Sequence, residues 1–424
     1  MVSLPHHAQS VPQPFAAPRC TLKLFAASSV VCRVARCLLL NHSPFSLPLA
    51  LFRGLYDSRR PLYCKIQFDL AAGAHVINSR INSGYKFKIY KELSTLSVRP
   101  LGTISPNPQV ETGTCNGQTS QTQVSTYMNS GPSYYCGSSY YLDSYTAQRG
   151  PFSITSRTGR IHVTFNARLY LYPYRCTSES YFEMRIYVNN AYRGVASYNS
   201  ARNHYSREYT YDNLVTDFFL DVPSSAQIRF YIRNSGYYSN VYGNQYYSSV
   251  RIEDVPKETR TPSAAALPTG CKGTPRRFLL QSYIASSSTL TNSDSRTLSI
   301  YDLTASRTAS SLDFRVLRDQ TRVRLYIKAD AYLQNNGVAN SAVTQASLVP
   351  YFNNKAYPAC IRRSRIYTSS RTEREEGPIV CDYNVVLDKG DITFKLVHVS
   401  EGQSTTIRNT QLRSIISIEE LVHS

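Results

Sequence analysis

The residues able to do chemistry are scattered through this sequence rather than gathered into a catalytic spacing. Histidine stands at His6, His7, His42, His75, His162, His204, His398 and His423. No pair shows H-x-H or H-E-x-x-H spacing, so a zinc hydrolase or cupin-like site would lack its ligands. His162 follows Arg160 and precedes Thr164 on one face of a strand, and it reads as an exposed strand residue rather than a catalytic one. Glu253-Asp254 and Glu419-Glu420 are adjacent carboxylates. Neighbours along a strand point to opposite faces, so neither pair can act as facing acid and base. Edge protection or a subunit contact suits them better. The G-x-S-x-G elbow, the P-loop and the dinucleotide fingerprint are missing from the sequence. These observations predict a protein that is not an enzyme and uses neither metal nor cofactor.

Tyrosine and arginine are what the chain offers instead. Its 424 residues include 34 Tyr and 16 Phe but no Trp. A Tyr ring packs while its hydroxyl stays hydrated, and it gives contact area at small rotamer cost. Two clusters mixing Gly, Ser, Asn and Tyr are the candidate ligand-binding loops. One holds Tyr134, Tyr135, Tyr140 and Tyr141; the other holds Tyr237, Tyr238, Tyr242, Tyr246 and Tyr247. Such mixtures suit sugars or a protein surface; the alternative is that the rings pack on one another at an oligomer axis. The net charge of +19 implies attraction to anionic partners such as acidic glycans, lipid headgroups or nucleic acid. Arg160, Arg168, Arg322, Arg324 and Lys328 are the candidate anion contacts, on the outward faces of two strands. Arg362-Arg363-Ser364-Arg365, Arg371 and Arg374 run into Glu373, Glu375 and Glu376, which reads as a solvated, self-paired loop. No nucleic-acid recognition motif accompanies the charge, so nucleic acid stays open without being indicated.

The elements that must position these residues are announced by an internal repeat. Cys115-x-Gly117…Tyr127 returns as Cys271-x-Gly273…Tyr283. Phe152-x-Ile154…Arg160-Ile161-x-Val163-x-Phe165-x-Ala167 returns as Phe314-x-Val316…Arg322-Val323-x-Leu325-x-Ile327-x-Ala329. Tyr187-Val188-Asn189-Asn190 returns as Tyr351-Phe352-Asn353-Asn354, and Leu220-Asp221…Ile228-x-Phe230 as Leu387-Asp388…Ile392-x-Phe394. Val250–Val255 and Ile416–Leu421 close the two copies. From Arg160 to Leu171 apolar and polar residues alternate without a break, the period of a strand with one buried and one wet face. One-sided burial favours antiparallel sheets. The predicted fold is all-β: two tandem antiparallel β-sandwiches, jelly-roll-like, behind a poorly structured N-terminal extension.

The boundaries follow composition. Residues 1–64 are basic and nearly free of acids, with only Asp57; they read as a targeting segment, a disordered basic arm or an upstream extension. Their apolar stretch from Cys37 is broken by Asn41 and Pro44, too soon to span a bilayer. Residues 65–112 hold short strands around Tyr85–Tyr90 and a linker. The first sandwich occupies 113–257, a Pro-containing linker 258–270 and the second sandwich 271–424. Of ten Cys, Cys360 and Cys381 can bridge neighbouring strands or serve as small buried apolar residues, the reading favoured here.

At Leu387-Asp388-Lys389-Gly390-Asp391-Ile392-Thr393-Phe394-Lys395-Leu396 the chain resembles the C1q/TNF-type jelly roll, where a Leu-x-x-Gly-Asp turn leads into a late apolar strand. The closing Ile-x-Ile-Glu-Glu pattern is more similar to phage tail, fibre or head modules than to C1q itself. Asp221-Val222-Pro223-Ser224 departs from the Gly-Asp turn in the first copy. The resemblance implies a homo-oligomer, with the trimer favoured, that binds a host-surface glycan or protein on a virion or other extracellular surface. A secreted lectin or adhesin, and a capsid-type protein whose basic arm contacts nucleic acid, are the rival readings. Organelle targeting through residues 1–64 is the alternative location.

Overall fold

The computed structural model describes residues 119–424 except 132, 135–136, 149, 172–178, 203–209, 236–238, 245–246, 260–273, 337–342, 366–371 and 422–424. It also describes the backbone of Arg19–Ala26, Val30–Arg33 and Val76–Asn82. The first of these strands is antiparallel to the second and parallel to the third. The rest of the N-terminal extension, and the strand expected at Tyr85–Tyr90, lie outside the described residues. Among those residues the fold is all-β, and its one helical turn is the 3-10 turn Leu142–Tyr145.

In the first half the main strands are β1 (Thr119–Thr126), β2 (Phe152–Thr155), β3 (Arg160–Leu171) and β4 (Ser180–Val188). They continue with β5 (Ala191–Arg202), β6 (Thr210–Asp221), β7 (Ser225–Ser235) and β8 (Ser248–Asp254). The second half repeats them as β9 (Arg277–Ile284), β10 (Leu312–Val316), β11 (Thr321–Asn336) and β12 (Val343–Phe352). It ends with β13 (Cys360–Arg365), β14 (Thr372–Leu387), β15 (Gly390–Glu401) and β16 (Ser414–Glu420).

Pairing is the same in both halves. One sheet runs β1-β8-β3-β6 and its counterpart β9-β16-β11-β14. The facing sheet runs β2-β7-β4-β5 and its counterpart β10-β15-β12-β13. Each half is therefore a jelly roll. Even the irregularities recur: the β1–β8 ladder slips between Ile252 and Glu253, and the β9–β16 ladder at the matching pair Ile418 and Glu419. In two blocks the ladders correct the sequence alignment by two residues. Ile228 pairs Val188 as Phe394 pairs Phe352, and Leu220 pairs Ile161 as Val385 pairs Val323. A slip of two keeps every side chain on its own face, so hydrophobic pattern alone does not resolve it.

Ile161, Val163, Phe165, Ala167, Leu169 and Leu171 are all fully buried between the two sheets of the first jelly roll, as the alternation predicts. Each contributes on the order of 1.5–3 kcal/mol where the side chain is large. The opposite face of β3 was expected to be wet and is not. Arg160, His162, Thr164, Asn166 and Arg168 are buried too: the second jelly roll meets the Arg160 end of that face at Gln281 and Leu303, and Tyr242 and Tyr247 of the same half lie against Arg168. A joint cluster of Phe219, Val255, Phe278, Leu303, Tyr326 and Ile415 fills the seam. β5 also pairs with β14, Ser200 opposite Glu376, so one sheet passes from one half into the other.

Two further expectations change. Arg362 lies fully buried on β13 rather than in a solvated loop, bonded to Asp212 at 2.8 Å, to Glu375 and to the Pro378 carbonyl. Cys360 and Cys381 are joined in a disulfide, with Cα atoms 5.5 Å apart, where buried free thiols had been favoured. The Pro-rich linker also begins docked: Gln281 Nε2 donates to the Pro256 carbonyl and Thr259 N to the Phe278 carbonyl.

Candidate functional site

The outer face of β2-β7-β4-β5 is where exposed aromatic rings gather. Along β4 the side chains of Phe182, Met184, Ile186 and Val188 turn inward, leaving Tyr181, Glu183, Arg185 and Tyr187 on the other face. Along β7 the same alternation leaves Gln227, Arg229, Tyr231 and Arg233 outward. The register places Tyr187 opposite Arg229 and Arg185 opposite Tyr231, so rings and guanidinium groups alternate in both directions. The short strand Ser138–Tyr141 adds Tyr141 opposite Tyr231, and β5 adds Tyr192 opposite Tyr187.

The result is a connected sheet of rings. Tyr141 lies 5.1 Å from Tyr231 and 6.3 Å from Tyr187, and Tyr187 lies 5.6 Å from Tyr192, centroid to centroid. Arg229 sits 4.1 Å over the Tyr141 ring and Arg185 5.8 Å over Tyr192. Arg185 also pairs with Glu183, and that hydrogen bond raises its pKa despite partial burial. Among the described residues the exposed large apolar side chains are Tyr140, Tyr141, Tyr192 and Val386. Three of these four belong to this one edge of the first jelly roll.

The second jelly roll does not build the same face. Tyr351 and Lys395 stand where Tyr187 and Arg229 stand, paired across the same ladder with the Lys395 ammonium 5.0 Å over the Tyr351 ring. Val349 and Val397 occupy the positions of Arg185 and Tyr231, and Ala356 that of Tyr192. The strand Ser295–Thr297 pairs along the edge of β15 at Val397 to Val399.

Of the sequence-predicted ligand residues, the structure brings only Tyr141 to this face; Tyr140 stands opposite the inward Ile232, and its ring lies 5.8 Å from Tyr145. Tyr242 and Tyr247 are half-buried elsewhere, 5.9 Å apart, with Arg168 over both rings at 5.0 Å and 5.6 Å. They pack against each other and a buried cation. Tyr134 lies on a strand whose side chains are not described, and Tyr135, Tyr237, Tyr238 and Tyr246 fall outside the described residues. Tyr187, Tyr192, Tyr231, Arg185 and Arg229 were missed: the alternation along β4 and β7 tells which side chains share a face, but which of them meet depends on cross-strand register.

The predicted anion contacts are mostly committed inside the protein. Arg160 bonds Asp221 at 2.8 Å, Gln281 Oε1 at 2.8 Å and the Leu303 carbonyl. Lys328 is fully buried, pairs with Asp330 at 2.8 Å and donates to the Arg413 carbonyl; burial lowers its pKa. Arg324 bridges to Asp382, and Arg322 is exposed. His162 is buried in the seam with Nε2 2.6 Å from Asp217 Oδ1, and Tyr326 Oη donates to the other oxygen of Asp217 at 2.9 Å. His162 had been expected on an exposed face. Among the described residues no group of three or more His, Cys, Asp or Glu could hold a metal ion. No described helix is long and apolar enough to cross a membrane.

No family model matches the chain, and no curated protein matches it; the C1q/TNF-type resemblance thus has no family match. Solved structures with some likeness include the tandem CBM22 domains of Paenibacillus barcinonensis Xyn10C, at 9% identity, covering 72% of this chain and 99% of that one, with a TM-score of 0.20. The plant receptor-like kinase ANX2 is 11% identical over 71% of this chain and 88% of its own, with a TM-score of 0.17. The VP2 subviral particle of infectious bursal disease virus is 10% identical over 72% and 79%, with a TM-score of 0.11. None of them superposes closely.

Proposed function

We propose that this chain is a non-enzymatic binding protein whose first jelly roll presents the Tyr/Arg face to a receptor or glycan, while the second supports it. The observation that carries this reading is the connected ring set Tyr141–Tyr231–Tyr187–Tyr192 on one sheet face, its end rings Tyr141 and Tyr192 exposed and its middle rings half-buried, flanked by Arg185 and Arg229. Ordinary surfaces scatter such rings singly, and contiguous exposed aromatic area marks interaction sites. The setting is extracellular, on a virion or a cell surface. The Cys360–Cys381 bridge favours the secreted or cell-surface reading, because disulfides persist in oxidising compartments. A homo-oligomer belongs to the same proposal and is read by light scattering. A glycan array probed with the full chain and with Tyr141→Ala and Tyr192→Ala tests the function. Each substitution should weaken a positive signal by about tenfold or more with unfolding unchanged. An array silent for the native chain, or signals indifferent to both substitutions, would overturn the assignment.

A further inference from the structure

We propose that the Tyr/Arg face takes a polyanionic glycan, one carrying sulfate or carboxylate groups, in preference to a neutral one; this rests on the reading of the face as a glycan platform. The sequence placed the chain's anion-binding charge on Arg160, Arg168 and Lys328, which the structure buries in internal contacts. The outward positions of β4 and β7 tell a different story. Tyr181, Glu183, Arg185, Tyr187, Gln227, Arg229, Tyr231 and Arg233 include three guanidinium groups and one carboxylate. That carboxylate, Glu183, is itself buried beneath Arg185 and paired with it. Arg193, exposed beside Tyr192, adds a further cation at the rim.

The arrangement suits a chain of sugars better than a single anion. Rings stand about one sugar residue apart across neighbouring strands; a guanidinium lies directly opposite Tyr187 and Tyr231 and diagonal to Tyr141 and Tyr192. A pyranose can stack on a Tyr face while the planar fork of the adjacent Arg grips its sulfate or carboxylate in two hydrogen bonds. The same positions of the second jelly roll carry Val349, Val397 and Val399 in place of Arg185, Tyr231 and Arg233. Lys395 keeps a cation at the Arg229 position, but the set of three guanidinium groups belongs to the first half and is not a by-product of the shared fold.

The test is calorimetric titration of the full chain with heparin, with chemically desulfated heparin, with a neutral glucan and with polyglutamate. Heparin should bind at least about tenfold more tightly than its desulfated form and weaken between ~50 and ~200 mM salt. Arg185→Gln combined with Arg229→Gln should abolish that preference. Arg307→Gln combined with Arg315→Gln, exposed on the second jelly roll, should leave it intact. Unfolding midpoints of both double variants show whether the fold survives; should the Arg185/Arg229 variant unfold, the single Arg233→Gln variant takes its place. Equal binding of sulfated and neutral chains would sink the anionic preference yet leave the glycan platform standing. Silence toward every glycan would remove the platform itself. Equal losses in both double variants, or polyglutamate binding as tightly as heparin, would reduce the effect to net charge and overturn the proposal.

Discussion

Glu253 and Glu419 hold the same position in the two jelly rolls, and the Arg276 guanidinium reaches both, at 3.2 Å and 2.9 Å. Each follows the same ladder slip at the end of its closing strand. Adjacent carboxylates that sequence reasoning assigned to an edge or a subunit contact are therefore halves of one internal clamp. Burial pushes the Glu253 carboxyl up, but Arg251 and Arg276 outweigh it and hold the group below the usual range. Replacing Arg276 with Ala takes the two-pronged partner from buried Glu419 and leaves Glu253 with Arg251 as its remaining guanidinium, which should cost about 3–5 kcal/mol in urea unfolding. Adding Glu253→Gln and Glu419→Gln should recover much of that loss. An Arg276→Ala protein as stable as the native one would show that the clamp carries no weight.

Gly377 shows how closely the second buried cation is fitted. A Cβ at this position would lie 2.6 Å from Arg362 Cζ and from both terminal nitrogens. That guanidinium cannot move aside, since Asp212 of the first jelly roll and Glu375 of the second both hold it. Gly377→Ala should therefore destabilise the protein by about 1–3 kcal/mol, as overpacking does. Thermal unfolding of Gly377→Ala beside the native chain reads that cost, and an unchanged midpoint would show that the guanidinium can yield after all.

The all-β fold was legible because the alternation from Arg160 to Leu171 needs only local residues to be read. The wet face was misread for the same reason: a period of two says that a second face exists, not what covers it. Arg160 and Lys328 look like solvent cations in sequence; each has an acid partner in its own half, and the packing of one jelly roll on the other adds Gln281 to Arg160 and the Ala196 carbonyl to Lys328. The candidate site lay between these cases. Tyr140 and Tyr141 drew notice as a doublet in a Gly/Ser loop, while Tyr187, Tyr192 and Tyr231 stood alone in three strands. Their meeting depends on cross-strand register, which was two residues uncertain in the Ile228 block.

The Asn-Asn turns fix that register in both halves. Asn189 and Asn190 have φ of 50° and 61°, Asn353 and Asn354 of 48° and 64°, the left-handed pair that a type I′ hairpin requires. The first Asn does more than turn. Its Oδ1 accepts from Gln227 N at 2.8 Å in the first half and from Thr393 N at 2.7 Å in the second. Asn190→Gly should be neutral or mildly stabilising, whereas Asn190→Ala should cost ~1–2 kcal/mol for a side chain forced into left-handed backbone. Asn189→Gly keeps the turn but drops the pin to β7; denaturant midpoints for the three variants separate the two roles. Should Asn190→Ala match Asn190→Gly, the left-handed conformation would not be the constraint.

Acid sensitivity should appear first at His398. Its ring is fully buried on β15, with Nδ1 3.0 Å from Ser288 Oγ and Nε2 2.9 Å from Thr405 Oγ1. Two hydroxyls satisfy a neutral ring, and burial, aided by the nearby Arg296 charge, lowers its pKa from 6.5 to about 4. The unfolded chain then binds a proton that the folded chain refuses. Stability is unaffected above pH 6.5 and falls as pH drops from there toward 4, by up to about 1.4 kcal/mol per unit. The paired carboxylate of Glu253 works in a lower window: its folded pKa lies below the ordinary 4.5, so its contribution is lost only as pH falls beneath that value. Urea midpoints at pH 7, 6 and 5 should thus decline for the native chain, and the decline should shrink in His398→Gln even if that variant is weaker throughout. Parallel pH profiles for the two proteins would mean that the buried imidazole is protonated as readily as a free one.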